Sequence, residues 1–156
     1  MAGILVPGNR NLSQADKDAR ANAIYWPYHN AIDNQIKRLQ ALGPDPAFIS
    51  VHSFTPVLNG IARDIQMGVL WDKDSRLSDI FIEEFRAAGF LTGDNEPYSG
   101  RAPQDFTIDH HAEEIGLPHV GIEVRQDLID DIAGVDEIAP VMHDIIASIP
   151  ERIGLT

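Results

Sequence analysis

The chain has 156 residues, of which 44% are apolar and 23% charged, enough for one compact domain with a buried core. Its net charge of −12 repels nucleic-acid phosphates, and no basic, aromatic-rich stretch offsets it, which excludes DNA and RNA binding. The absence of cysteine excludes disulfides and thiolate metal sites, and no apolar run approaches the ~20 residues of a membrane span. Because the first residues also lack the features of a signal peptide, we expect a soluble, cytoplasmic protein forming a single domain over residues 1–156.

The first predicted element is a long helix. Ser13, followed by Asp16, resembles a capping box, and apolar residues at helical spacing continue the pattern to about Leu42. Pro27 lies inside this pattern, so we expect a kink or a break there. The Gly-Pro-Asp-Pro segment at 43–46 ends the helix.

Strand-length apolar runs alternate with helical segments along the rest of the chain. The predicted strands are 47–51, 67–71 and 119–125. The predicted helices are one capped by Ser78 and closed by Gly89, one capped by Thr107, and one from about Val135 to Ile149 that contains Pro140. This alternation predicts an α/β fold with a mixed or mostly parallel sheet between helical layers, which binds ligands beyond the carboxyl ends of its strands.

Two polar residues lie at or near such strand ends. His52 follows a continuous apolar strand, where an imidazole could bind zinc, although spacing alone favours a histidine hydrogen-bonded to backbone by about two to one. Glu123 interrupts an apolar strand and shares a strand face with Arg125. A partly buried carboxylate suits a general base, and an ion pair with Arg125 at a sheet edge is an equally good interpretation.

A polar loop and a histidine pair are the other candidates. The loop carries Asn95, Tyr98 and Arg101 between two glycines, and we expect these side chains to bind the substrate; an ordinary surface loop is the alternative. Asp109 and the adjacent histidines 110 and 111 could supply metal ligands. Neighbouring helical side chains diverge, so at most one of the two histidines can face a given ion.

Four segments, taken together, resemble the N-formylglutamate amidohydrolase family in their order and spacing. They are Val-His-Ser-Phe-Thr-Pro at 51–56, Gly-Asp-Asn-Glu-Pro-Tyr-Ser-Gly at 93–100, Thr-Ile-Asp-His-His at 107–111, and the stretch 116–129. The resemblance runs over nearly the whole chain and implies the C-terminal part of such an enzyme. It implies a three-layer α/β/α, phosphorylase/hydrolase-like fold, related to zinc carboxypeptidases and aspartoacylase-like deacylases.

The resemblance also implies a reaction: zinc-dependent hydrolysis of N-formyl-L-glutamate, or a similar N-acyl amino acid, to formate and L-glutamate, as in histidine degradation. His52 occupies the place of a zinc ligand, and Glu123 that of the base in a Glu-x-Arg strand whose Arg125 is also catalytic. Zinc lowers the pKa of bound water, the carboxylate takes the proton, and hydroxide attacks the formyl carbonyl.

The chain departs from the family in its ligand count. Related sequences carry two further zinc ligands upstream of the segment matched here, and catalytic zinc typically takes about three protein ligands. We therefore expect zinc to be under-occupied and this short chain to be inactive by itself. We also expect an upstream half as partner, or self-association, because strands 48–51 and 120–124 have the composition of strands buried on both faces.

Two other interpretations stay open. One is a rearranged metal site that uses His52, His111 and either Asp109 or Glu123. The other is a non-catalytic binding domain that keeps the loop 95–101 and Arg125 for an acidic amino-acid derivative.

Overall fold

The computed structural model describes residues 6–101 and 106–155. The chain divides into two compact units, Met1–Arg38 and Leu39–Thr156. None of the helices within the described ranges combines the length and apolar character that a membrane crossing requires.

The first unit is helical. A short 3-10 turn, Pro7–Asn9, precedes helix α1 (Gln14–Arg20), a π-helical turn (Ala21–Tyr25) and helix α2 (Trp26–Gln40). The Ser13 side chain accepts a hydrogen bond from the backbone N–H of Asp16 at 3.1 Å, which confirms the predicted cap. Pro27 lies just after the π turn. The α-helical bonding pattern is thus interrupted directly before Pro27, between α1 and α2, where the sequence predicted a kink or a break.

A mixed sheet dominates the second unit. Its strands are β1 (Phe48–Phe54), β4 (Met67–Leu70), β5 (Thr92–Asp94) and β6 (His119–Arg125), in the order β1-β6-β4-β5. The β1–β6 and β4–β5 pairs are parallel, and the β4–β6 pair is antiparallel. Strands β2 (Val57–Leu58) and β3 (Ile61–Ala62) form a separate antiparallel hairpin. The predicted mixed, mostly parallel sheet is confirmed.

Helices cover both faces of this sheet. The helices are α3 (Ser78–Ala87), α4 (Phe106–Ile108) continued by a π-helical turn (Asp109–Glu113), and α5 (Ile132–Arg152). Helices α3 and α5 share one apolar core with alternate residues of β4 and β6, among them Val69 and Ile122. On the opposite face, a Cβ at Gly121 would lie 3.2 Å from the side chain of Ile108 in α4. This arrangement is the predicted three-layer α/β/α fold.

Several local expectations were wrong. Ser78 is the first residue of α3 and not its cap, and its hydroxyl donates to the Ser75 carbonyl at 3.2 Å. Thr107 lies inside α4. Helix α5 begins earlier than predicted, because the Asp131 carboxylate accepts from the Gly134 N–H at 2.9 Å and caps it.

Strand β1 also differs from expectation. Strand β6 is buried from His119 to Val124, as predicted, because it has neighbours on both sides. Strand β1 lies at the edge of the sheet and is exposed over residues 51–53, where Val51 is 58% exposed. The prediction that β1 is buried on both faces was therefore wrong for the described residues. The expected self-association stays a prediction.

Candidate active site

His52 and Glu123 are register partners in the parallel pair β1–β6. Partners in one register share a pleat, so both side chains leave the same face of the sheet. His52 is exposed and Glu123 is buried, with 8% of its surface accessible. The structure thus brings together the two residues that sequence placed at strand ends.

Two glycines on neighbouring strands, Gly68 and Gly93, leave room for a backbone segment next to Glu123. Gly68 on β4 is the register partner of Glu123 on one side and of Gly93 on β5 on the other. A Cβ at Gly68 would lie 2.6 Å from the Glu96 carbonyl oxygen, and one at Gly93 would lie 2.7 Å from the same atom. Only glycine at both positions lets the Glu96–Pro97 segment cross the sheet directly next to Glu123.

Asn95 fastens this crossing segment. Its Oδ1 accepts hydrogen bonds from the backbone N–H groups of Trp71, at 3.1 Å, and Gly100, at 2.8 Å. Its own N–H donates to the Val69 carbonyl at 2.8 Å, and its φ of 54° is one that asparagine tolerates better than most residues. The buried Nδ2 has no hydrogen-bond partner among the described residues, so this amide group is a donor that a ligand could use.

Tyr98 is joined to a residue that the sequence reasoning did not single out. The Arg63 guanidinium lies 5.0 Å from the Tyr98 ring centroid and 5.6 Å from that of Phe54. Its Nη1 donates to the Tyr98 hydroxyl at 2.9 Å. Phe54 is buried and lies two residues beyond His52, on the same strand face. Arg63 thus holds a positive charge on the face that carries His52 and Glu123.

Arg125 holds the segment that carries Arg63. Its Nη1 donates to the backbone carbonyls of Arg63 at 3.0 Å, Asp64 at 2.9 Å and Ile65 at 3.4 Å. Its Nε lies 2.7 Å from the Asp127 carboxylate, and this hydrogen-bonded guanidinium holds the pKa of Asp127 below its usual range. The ion pair that sequence suggested for Arg125 with Glu123 is, in the structure, an ion pair with Asp127.

For Arg101, the structure shows a hydrogen bond within its own loop. It is exposed, and its backbone N–H donates to the Ser99 hydroxyl at 3.2 Å. It is the last described residue before position 106.

The described residues do not fit a complete zinc site. The His52 ring Nε2 lies 3.0 Å from the Ser50 hydroxyl. Over residues 6–101 and 106–155, no group of three or more His, Asp or Glu side chains is arranged to hold a metal ion. The rearranged site of His52 with Asp109 and His111 is therefore not formed. The turn that contains the latter two follows Ile108, which packs near Gly121.

A local sequence feature could have identified the close backbone approach at Gly68, but not the role of Arg63. Glycine inside a strand often marks a close approach of backbone, and Gly68 interrupts the apolar run of β4. Arg63 has no comparable local pattern, because its aromatic partners come from β1 and from the segment after β5.

The fold is a three-layer α/β/α domain, and its candidate site carries a buried glutamate. A family model for N-formylglutamate amidohydrolase matches residues 2–130, and the chain belongs to this family of hydrolases, which act on non-peptide C–N bonds. The crystal structure of a gene product from Agrobacterium tumefaciens is similar, with 34% sequence identity and a TM-score of 0.87. The match covers 96% of this chain and 59% of that chain. No curated protein matches the chain.

Proposed function

We propose that this chain takes part in hydrolysis of the amide bond of N-formyl-L-glutamate, or a similar N-acyl amino acid. The observation that carries the proposal is the registered pair His52 and Glu123, with the crossing segment held by Asn95 next to Glu123. Zinc dependence is part of the proposal, with His52 as a ligand. Because the described residues do not complete a zinc site, we assign no step to the metal.

The chemistry of the protein groups centres on Glu123. Its carboxylate takes a proton from water, and the oxygen of that water bonds to the formyl carbon. The C–N bond then breaks, and the proton passes from Glu123 to the departing nitrogen, which leaves formate and L-glutamate. Asn95 Nδ2 donates a hydrogen bond to the bound substrate, and a buried donor of this kind gains more from a polar ligand than an exposed one.

Formate release from N-formyl-L-glutamate, measured with zinc present and with the expected upstream half restored to the chain, tests the function. We expect Glu123→Gln to lower the release by about 100-fold or more, because a general base typically contributes that much, while substrate affinity is kept. Glu151→Gln, on the exposed end of α5, is the control and should leave the rate unchanged. Full activity of Glu123→Gln, or a wild-type chain that neither binds nor hydrolyses the substrate, would overturn the proposal.

A non-catalytic binding domain for an acidic amino-acid derivative is the second candidate. It is favoured by one observation, the buried Asn95 Nδ2, a donor with no hydrogen-bond partner among the described residues. Calorimetric titration separates the two functions. Saturable binding of N-formyl-L-glutamate without any formate release at excess zinc would select the binding domain.

A further inference from the structure

Arg63 is held from several directions before any ligand arrives. Its backbone N–H donates to the Pro56 carbonyl at 2.9 Å, and its own carbonyl accepts from Arg125 at 3.0 Å. Its guanidinium lies over the Phe54 and Tyr98 rings, and the Tyr98 hydroxyl accepts one of its hydrogen bonds. The side chain is half-buried, so much of its conformational freedom is already lost.

Arg63 is held by aromatic rings in an acidic chain. Four other cations of the second unit pair with carboxylates, whereas Arg86 and Arg101, like Arg63, are in none of the ion pairs between described residues: the pairs are Lys73 with Glu113, Arg76 with Asp74, Arg125 with Asp127, and Arg152 with Glu83. None of the ion pairs between described residues includes Arg63. Aromatic faces hold the charge without neutralising it, and they leave edge N–H groups of the guanidinium available.

The position of this cation matches the site. Phe54 shares a strand face with His52, which is the register partner of Glu123. Tyr98 directly follows Pro97, whose Cδ lies 3.2 Å from where a Cβ of Gly68 would be, next to Glu123. The guanidinium therefore bridges elements that border the glutamate.

An anionic substrate needs such a group. The net charge of −12 repels a dicarboxylate at long range, so capture depends on a local cation. A planar guanidinium can bind a carboxylate through two parallel N–H···O bonds, and its orientation here is fixed in advance.

We propose that Arg63, held against the Phe54 and Tyr98 rings, receives a carboxylate of the substrate, an inference that rests on the amidohydrolase function proposed above. Arg63 is then the residue that selects acidic N-acyl amino acids over neutral ones. Tyr98 acts as a positioning residue, since its hydroxyl fixes the guanidinium.

Calorimetric titration of Arg63→Gln, Arg63→Lys and the control Arg86→Gln tests this site. Arg86 is exposed on α3, on the other side of the sheet. We expect Arg63→Gln to weaken binding of N-formyl-L-glutamate by about 10- to 100-fold, the usual effect of losing hydrogen bonds to a charged group. Arg63→Lys keeps the charge but loses the planar contact, so it should fall in between. Arg86→Gln should bind like wild type.

Two amide analogues identify the carboxylate. N-formyl-L-glutamine lacks the side-chain carboxylate, and the α-amide of N-formyl-L-glutamate lacks the other. If Arg63→Gln leaves the affinity for one analogue unchanged, the carboxylate that this analogue lacks is the one that Arg63 binds. Equal losses for the substrate and both analogues would show a general structural effect and overturn the proposal, as would wild-type affinity in Arg63→Gln. Should Arg63→Gln fail to fold, Arg63→Lys with full affinity would overturn it.

Glutarate, a dicarboxylate that cannot be hydrolysed, separates this proposal from the function it rests on. If Arg63→Gln weakens the binding of glutarate but the wild-type chain releases no formate, the hydrolysis is overturned and the carboxylate site is supported. Formate release that depends on Glu123 but is unchanged in Arg63→Gln would support the hydrolysis and overturn the carboxylate site. If the wild-type chain binds neither N-formyl-L-glutamate nor glutarate, both proposals are wrong.

Discussion

Gly68 and Glu123 face each other across the antiparallel pair β4–β6, and a Cβ at position 68 would lie 3.1 Å from the Cβ of Glu123. That Cβ would also lie 2.6 Å from the Glu96 carbonyl oxygen, a contact that backbone cannot relieve without moving. The residue next to the proposed base therefore has to lack a side chain.

Gly68→Ala should displace the crossing segment and lower both stability and formate release. We expect a loss of about 1–3 kcal/mol in the free energy of unfolding, the usual cost of an overpacked site. Urea unfolding and the formate assay measure the two effects. Gly43→Ala is the matched control, because a Cβ there meets nothing within 4 Å. A Gly68→Ala chain as stable and active as Gly43→Ala would contradict the arrangement.

Arg125→Gln should act through the segment that carries Arg63. It removes the donors to the carbonyls of Arg63, Asp64 and Ile65, which should lower the free energy of unfolding by about 1–3 kcal/mol. If Arg125 positions Arg63, KM rises more than kcat falls. A fall in kcat at unchanged KM would instead support the catalytic role predicted from sequence. Arg152→Gln, which removes exposed ion pairs, is the control and should cost less than about 1 kcal/mol.

Glu113 should make stability depend on acidic pH. Burial raises its pKa, but the ion pair with Lys73 and the contact with His119 outweigh burial, so the pKa lies below the ordinary 4.5. The folded state thus binds this proton less tightly than the unfolded state. Its contribution to stability is complete above about pH 4.5 and is lost as the pH falls through the folded pKa.

Urea unfolding at a series of acidic pH values checks this sign. Between about pH 5 and pH 3, the free energy of unfolding should fall less steeply for Glu113→Gln than for wild type. The exposed Glu151→Gln should follow the wild-type curve. Parallel curves for Glu113→Gln and wild type would show that Glu113 is not the source of the slope.

Zinc should bind to this chain at well below one equivalent. His52 offers one ligand, and catalytic zinc typically takes about three from protein. Metal analysis after zinc loading and desalting measures the occupancy, and His52→Ala should lower whatever remains. A full equivalent retained through desalting would overturn the expectation. Zinc that persists in His52→Ala would show that His52 is not a ligand.

The sequence predicted those elements whose hydrophobic pattern is local. Strand β6 has the predicted bounds, because its apolar run is continuous and ends at charged residues. Strand β5 was missed, since Thr92–Asp94 is short and has the composition of a turn. Its extended conformation comes from pairing with β4, which no local pattern reveals.

The candidate site was predictable in its residue types and not in its assembly. His52 and Glu123 were identified from their place at strand ends, but their shared register depends on a pairing between distant segments. Arg63 was missed for the same reason, because its partners Phe54 and Tyr98 are separated from it along the chain. Arg125 was predicted from the sequence to be catalytic, which stays a prediction, and its hydrogen bonds to backbone carbonyls 60 or more residues away could not be read from the sequence.

Because β1 lies at the edge of the sheet, the strand that carries His52 unfolds locally more readily than the strand that carries Glu123. Among the described strands, β1 pairs with β6 alone, whereas β6 is also bonded to β4. Detaching the strand that carries His52 breaks one ladder of hydrogen bonds, and detaching the strand that carries Glu123 breaks two. Regions with fewer such bonds open at lower free energy, so backbone amides of β1 exchange with solvent sooner than those of β6. The site loses its histidine in local openings that leave the glutamate and the apolar core in place.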